Sequence, residues 1–331
     1  MQAYVVRTPG GPDVLEPAEL PDPSPRPGWV LIAIKAFGLN RAEAITRAGG
    51  SGDAVPFPRV IGIECVGEVI DGGGTDLAPG QIVAAAMGGL GRAHDGSYAT
   101  KTLARRENVF ALRTGLDWTT LAAIPETYFT ARGCLAVTGS LDRDGGQPPP
   151  RVLVRPGASA LGLAIAQITG DLGGEVIGVT RSPGKRDRLL AGGMTDVLVS
   201  SRPVADQVRA RWPEGPTAVV DTIASDATIA DGLDALAGQG MLCLAGSLAD
   251  SYATEPAGGA ATAFARDDVT FYSSEGLTAA VDTAHLQTIV DKVEAGTYSA
   301  NIDTVLPFDR LVEAHRRMEA NEFAGKVVIA L

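Results

Sequence analysis

Apolar and polar positions alternate over short spans through the first third of the chain. Trp29–Phe37 (WVLIAIKAF), Val60–Ile70 (VIGIECVGEVI) and Gln81–Ala86 read as strands separated by Gly- and Pro-containing turns. Closely spaced strands with such turns predict a compact, barrel-like β domain. The pattern changes near Leu121, after which apolar runs alternate with helical periods: Val152–Arg155 and a helix from Ala160, Glu175–Val179 and a helix from Ser182, then Thr217–Asp221 and Met241–Ala245. That alternation predicts βαβ units and a doubly wound parallel sheet. Residues 143–150 (RDGGQPPP) have the composition of an exposed loop entering the first of these strands. Toward the end, Thr278–Ala295 and Phe308–Asn321 predict helices, and Lys326–Leu331 a closing strand that returns to the first domain.

The most informative segment runs from Val152 to Gln167 (VLVRPGASALGLAIAQ). An apolar strand leads into a turn of small residues, Gly157, Ala158, Ser159, Ala160 and Leu161, and then into a helix. Small side chains there let the backbone approach a pyrophosphate, and the helix N-terminus attracts the anion. Ser159 and Ala160 stand where a strict GxGxxG pattern would carry more glycine. The second strand should end over an adenosine ribose, where an acid would receive the 2′-hydroxyl. It instead runs into Thr180, Arg181, Ser182 and Lys185. Cations and hydroxyls without an acid fit a 2′-phosphate, so the expected cofactor is NADPH rather than NADH. Ile223 and the run Ala245, Gly246, Ser247 follow later strands and belong to the same crevice if the sheet is doubly wound.

Composition narrows the remaining classes. The chain has 331 residues, enough for two domains, and its formal charge of −11 leaves no basic stripe for nucleic acid. No apolar run spans a bilayer and the start is acidic and proline-rich, so a cytoplasmic protein without membrane association is expected. Cys65, Cys134 and Cys243 are isolated among apolar residues, and His94, His285 and His315 form no ligand pair. Neither a disulfide framework nor a metal site is expected.

With these residues in hand, the chain resembles, nearly end to end, the medium-chain dehydrogenase/reductase superfamily and its zinc-free quinone oxidoreductase branch. The segments that carry the likeness are Gly10–Leu15, Pro27–Ile32, Gly38-Leu-Asn40-Arg-Ala-Glu43, Ile61–Val69, Asp95–Ala99, Ile124–Thr130, and Ala314-His315 through Gly325-Lys326. The resemblance implies a GroES-like β-barrel catalytic domain (1–122 and 275–331), a Rossmann domain (123–274) and a homodimer formed by edge strands. Zinc-dependent relatives place a Cys ligand near Asn40 and a His at Ile63, so no metal is implied. It further implies that Asn40 holds the nicotinamide ribose or substrate and that Thr130 lies near the nicotinamide phosphate. Phe271 and Tyr272 would contact the carboxamide, and Asn321 and Lys326 would close over NADPH. Glu64 is expected to support the domain junction. A tyrosine common after the Arg-x-Gly segment is missing behind Arg47-Ala-Gly49, which leaves Tyr128 as the candidate phenol. The expected reaction is hydride transfer to a quinone or an α,β-unsaturated carbonyl. The alternatives are an enoyl reductase of lipid or polyketide metabolism and a weakly catalytic NADPH-binding structural or regulatory protein.

Overall fold

The computed structural model describes residues 1–141, 147–246 and 266–331. They fall into two units, Met1–Glu126 with Ser274–Leu331, and Thr127–Ser273. The family resemblance implies these crossings at 122/123 and 274/275. Ser247 and residues 143–146 of the expected connector loop lie outside the described residues.

The first unit is built on β3 (Trp29–Gly38), the longest described strand, which pairs antiparallel with β4 (Glu64–Asp71), β6 (Lys101–Arg105) and β15 (Lys326–Ala330). Register shifts near Leu31 and Ile34 let one strand serve several neighbours, since bulges bend and re-aim a strand. The sheet runs β14 (Ile302–Pro307), β15, β3, β4, β5 (Ile82–Ala86), β7 (Val109–Ala111), with β1 (Gln2–Val6) and β2 (Leu15–Glu19) as a separate pair. Residues from nearly all of these, including Tyr4, Leu15, Ile32, Phe37, Val69, Val83 and Ile329, enclose one apolar core with Leu311 and Ala314 of the C-terminal helix Leu311–Glu319. The strand expected from Val60 begins only at Glu64. Gly62 adopts φ +109°, and a Cβ there would fall 2.4 Å from Ser97 Oγ, so the chain turns where apolar character alone predicted a continuous strand.

The second unit is a six-stranded, wholly parallel sheet in the order β10 (Asp196–Val199), β9 (Glu175–Thr180), β8 (Arg151–Arg155), β11 (Ala218–Asp221), β12 (Met241–Leu244), β13 (Val269–Phe271). The order reverses between β8 and β11, which is the switch point of a doubly wound Rossmann sheet. Val152, Leu153, Val154, Val219, Val220, Leu242 and Cys243 are buried, as strands covered on both faces require. Helices start where the sequence supplies caps. Ser159 Oγ accepts from Gly162 N at 3.0 Å to open Ala160–Asp171, and Ser225 Oγ accepts from Thr228 N at 3.3 Å to open Asp226–Ala235.

Candidate active site

Parallel strands place all their carboxyl ends on one edge, so the second unit gathers the residues expected to hold a dinucleotide. Along that edge stand Arg181 and Ser182 after β9, Gly157 to Leu161 after β8, Ile223 after β11, Ala245 and Gly246 after β12, and Phe271 and Tyr272 at β13. Four steps of strand spacing make this row about 19 Å long.

At its centre, Gly157 N donates to Val179 O at 2.7 Å, tying the β8 turn to β9. A Cβ on Gly157 would lie 2.9 Å from Gly178 Cα and 3.0 Å from Val179 N, both backbone, so only glycine fits. A Cβ on Gly162 would fall 2.5 Å from Gly157 O. These two glycines close the turn on itself, while Ala158, Ser159, Ala160 and Leu161 stand at the helix start. Ser159 Oγ is committed to Pro156 O (2.8 Å) and Gly162 N, so the serine in the glycine pattern serves as a helix cap.

Beyond β9, Arg181 is exposed and makes no hydrogen bond or ion pair among the described residues. Arg186, by contrast, is bound to Val197 O and Asp196. Ser182 N donates to Thr180 Oγ1 at 3.2 Å, and Lys185 is half-buried in the same turn. At the switch point Asp221 is fully buried, and its Oδ1 accepts from Ile223 N (2.7 Å) and Ala224 N (3.3 Å), which fixes the loop carrying Ile223. Burial pushes the Asp221 carboxyl above its ordinary range. Ala245 N donates to Asp221 O at 3.1 Å, and Gly246 is buried against Thr222. Phe271 is exposed on the edge strand, whereas the Tyr272 ring lies over Gly133, where a Cβ would meet its Cζ at 1.9 Å.

One expectation in this unit changes. Tyr128, the candidate phenol, is 1% exposed and its hydroxyl donates to Gln167 at 3.2 Å, so it packs the interior and is withdrawn as a catalytic group. Thr130 stands on the same helix, Pro125–Val137, and is buried.

In the first unit Asn40 sits half-buried between β3 and the helix Arg41–Arg47. Its Oδ1 accepts from Lys326 Nζ at 2.7 Å, and its Nδ2 donates to Glu64 Oε1 at 2.9 Å. Lys326 Nζ also donates to Glu64 Oε1 at 2.7 Å, and Glu64 Oε2 accepts from Glu126 N at 2.9 Å. Lys326 and Glu64 are buried, and the lysine's charge is directed at Glu64 and Asn40. Asn321 follows the C-terminal helix. It is exposed, adopts φ +56° after the C-terminal helix, and its Oδ1 accepts from Arg41 Nη2 at 2.6 Å, a left-handed position that suits asparagine at a helix end.

A second buried group, unforeseen as a unit, adjoins this one. Glu43 Oε2 accepts from Asn40 N (2.8 Å) and from Tyr98 Oη (2.8 Å), and Oε1 accepts from Ile63 N (2.9 Å). Tyr98 Oη also lies 2.8 Å from His315 Nε2, and His315 Nδ1 lies 2.8 Å from Arg47 Nη1. Burial raises Glu43 to about 7 and, with Arg47 alongside, lowers His315 to about 3. Cys65 is buried one residue from Glu64, and burial keeps its thiol protonated well above the ordinary range. Among the described residues no three His, Cys, Asp or Glu side chains stand together as a metal-ion site, and no helix is long and apolar enough to cross a membrane.

Comparison with known proteins follows this division. The family model for an alcohol dehydrogenase GroES-like domain matches residues 26–117, and that for a zinc-binding dehydrogenase matches residues 193–329. The chain is 34% identical over 200 residues to the pikromycin polyketide synthase component PikAII of Streptomyces venezuelae, covering 60% of this chain and 5% of that protein. It thus spans a small fraction of that relative's length. Over the full length of both chains it is 28% identical to the crystal structure of an NAD-dependent alcohol dehydrogenase, with a TM-score of 0.82. The Escherichia coli quinone oxidoreductase complexed with NADPH, 19% identical over 100% of both chains, shares the fold with a TM-score of 0.85.

Proposed function

We infer, from a chain that belongs to the medium-chain dehydrogenase/reductase superfamily, an oxidoreductase that reduces quinones or α,β-unsaturated carbonyls with NADPH, without a catalytic zinc. The observation that carries the reading is the pairing of an acid-free β9 end bearing the unpartnered Arg181 with an amide, Asn40, where a thiolate ligand would otherwise stand. The residues fit a nicotinamide dinucleotide: Gly157 and Gly162 hold the turn after β8 so tight that no Cβ fits against its own backbone, and the helix after it opens with small residues.

NADPH, when bound, supplies the hydride. Arg181, with Ser182 and Lys185 in the same turn, receives the 2′-phosphate as a charge-assisted donor. Asn40 and Ile63 cannot hold zinc as a thiolate and an imidazole would, and the Cys65 thiol is buried and protonated. Without a Lewis acid, reduction of an already polarised acceptor is favoured over alcohol oxidation. Asn40 Oδ1 keeps a second lone pair for a hydroxyl of cofactor or substrate after accepting from Lys326. Charge developing on the acceptor oxygen is met by backbone amides and hydroxyls, and the last proton comes from water. A homodimer is part of this reading, supported by the exposed Phe271 on the edge strand β13. The likeness to a polyketide synthase component supports a second reading, enoyl-thioester reduction, which shares the hydride chemistry and differs in substrate length.

The test is oxidation of NADPH and NADH, followed by absorbance, against quinones, short enones and long enoyl thioesters, with chelator present. Turnover that prefers NADPH and survives chelation supports the reading. Arg181→Ala should raise KM for NADPH roughly 10- to 100-fold and leave NADH unchanged, the worth of one charged hydrogen bond. Loss of activity on chelation contradicts it, and a preference for long thioesters selects the second reading.

A further inference from the structure

Four buried side chains outside the cofactor row form a chain of hydrogen bonds whose direction is fixed. The guanidinium of Arg47 only donates, so His315 Nδ1, 2.8 Å away, accepts and carries no proton. The neutral ring then bears its proton on Nε2, which donates to Tyr98 Oη at 2.8 Å. The phenol's own hydrogen is left for Glu43 Oε2, also at 2.8 Å. Glu43 thus receives Tyr98 Oη–H, Asn40 N–H and Ile63 N–H, three donors that match an ionised carboxylate. Protonating Glu43 sets its hydrogen against one of these donors. The conflict cannot be passed along the chain, because reversing Tyr98 and His315 would put a proton on Nδ1 facing Arg47.

We propose that Glu43, directed by Tyr98, His315 and Arg47, is a positioning residue that fixes the backbone at Asn40 and so aims the Asn40 amide. The inference rests on the reading above in giving Asn40 a role toward cofactor or substrate. Two sets of contacts share in holding that residue. Lys326 and Glu64 orient the amide's two ends, while Glu43 ties the Asn40 N–H to that of Ile63, beside Glu64 on the loop entering β4. The charged and titratable groups facing Glu43 are Tyr98 from the loop before β6, Glu64 from β4 with its partner Lys326 from β15, and, behind the phenol, His315 and Arg47, the latter also paired with Glu319. Because Glu43 ionises near 7, the device responds within the neutral range.

The experiment uses the full chain labelled with 13C at the Glu carboxyl carbon and 15N in Asn, titrated by NMR from about pH 5 to 9 beside kinetics over the same range. Loss of a signal in Glu43→Gln assigns Glu43, and loss of a signal in Asn40→Ser assigns Asn40. In the wild type, the Glu43 carboxyl and both the backbone and side-chain amides of Asn40 should follow one inflection near pH 7. kcat should rise with pH through the same point, with KM for NADPH nearly constant. Tyr98→Phe, which removes one donor to the carboxylate, should move all three inflections upward by about one pH unit. Glu43→Gln should abolish them and lower kcat roughly tenfold. An Asn40 side-chain signal that ignores the Glu43 titration, or inflections unmoved in Tyr98→Phe, overturns the proposal even if turnover is brisk. If no acceptor is reduced while the Asn40 signals track Glu43, the functional reading fails and the positioning device stands.

Discussion

Replacing Lys326 by methionine tests how the Asn40 cluster is held. The ammonium lies 2.7 Å from Glu64 Oε1 and 2.7 Å from Asn40 Oδ1, with side-chain exposures of 2% for Lys326 and 1% for Glu64. At an effective dielectric of about 20, two unit charges at that separation attract by roughly 6 kcal/mol, most of which is offset by the cost of burying both. Removing one partner leaves that burial cost uncompensated, and broken buried pairs lose about 3–5 kcal/mol. Glu64 keeps Asn40 Nδ2 and Glu126 N as donors, so the expected loss in Lys326→Met is near the lower end, about 3 kcal/mol. Glu64→Gln/Lys326→Met removes both charges and should recover at least about 1.5 kcal/mol of it. Urea unfolding reads the effect by unit: Trp29 and Trp118 report the first, and Trp212 the second. Turnover should fall with the single variant, because Asn40 Oδ1 loses its donor. A Lys326→Met protein within about 1 kcal/mol of wild type, or a double variant equal to the sum of the singles, would mean that the buried pair does not hold the cluster.

The remaining predictions concern the cradle and the buried histidine. Gly157→Ala places a Cβ 2.9 Å from the backbone of Gly178, so β8 and β9 must part. It should destabilise the second unit by about 1–3 kcal/mol, seen in Trp212 fluorescence, and weaken NADPH binding measured by cofactor fluorescence. Unchanged values for both would mean that the turn is not under this constraint. His315 and Glu43 shift in opposite senses, so their effects on stability oppose one another. His315, lowered to about 3, makes the unfolded chain bind more protons below its ordinary 6.5, so its contribution to stability is lost as pH falls from 6.5. Glu43, raised from 4.5 to about 7, makes the native state bind more protons, so stability declines as pH rises through that window. Between pH 4.5 and 6.5 these two slopes cancel, and what remains in the first unit is a rise with pH from His94, which burial also lowers. In His315→Gln one of the two slopes opposing Glu43 is removed, so the midpoint of unfolding should shift toward decreasing with rising pH across that range relative to wild type. A variant profile with the same slope as wild type would show that His315 does not carry the opposing slope.

What the sequence revealed divides along physical lines. Local periodicity and turn chemistry carried the two-part architecture, because the apolar strands after Leu121 and the short strands before it bury different faces. The small-residue turn at Gly157 was legible for the same reason: close backbone approach demands glycine in the sequence itself. The acid-free end of β9 could also be read directly, since a ribose-binding acid would have to follow the strand. The positioning chain could not. Glu43 and Tyr98 are 55 residues apart and Tyr98 and His315 are 217 apart, so no spacing joins them until the C-terminal helix packs back on the first unit. Lys326 and Tyr128 show the limit for single residues. A lysine or a phenol in a sequence carries no sign of whether its polar end meets solvent or a buried partner, and here Glu64 and Gln167 take those ends. Arg155 is a similar case. It closes an apolar strand, yet it is buried against Asp231 at 2.8 Å, with the carboxylate also held by Val204 N and Ala205 N.

Isotope transfer tests hydride transfer itself, without reference to any one acceptor's rate. NADPH carrying deuterium at C4 of the nicotinamide, in each of its two stereochemical forms, would be incubated with the protein, a 2-cyclic enone and a chelator. Mass spectrometry and NMR would then locate the label in the product. The expected result is deuterium on the β-carbon from one form only, with the proton at the α-carbon drawn from water. Label missing from that carbon, or transfer that appears only when zinc is supplied, would contradict it.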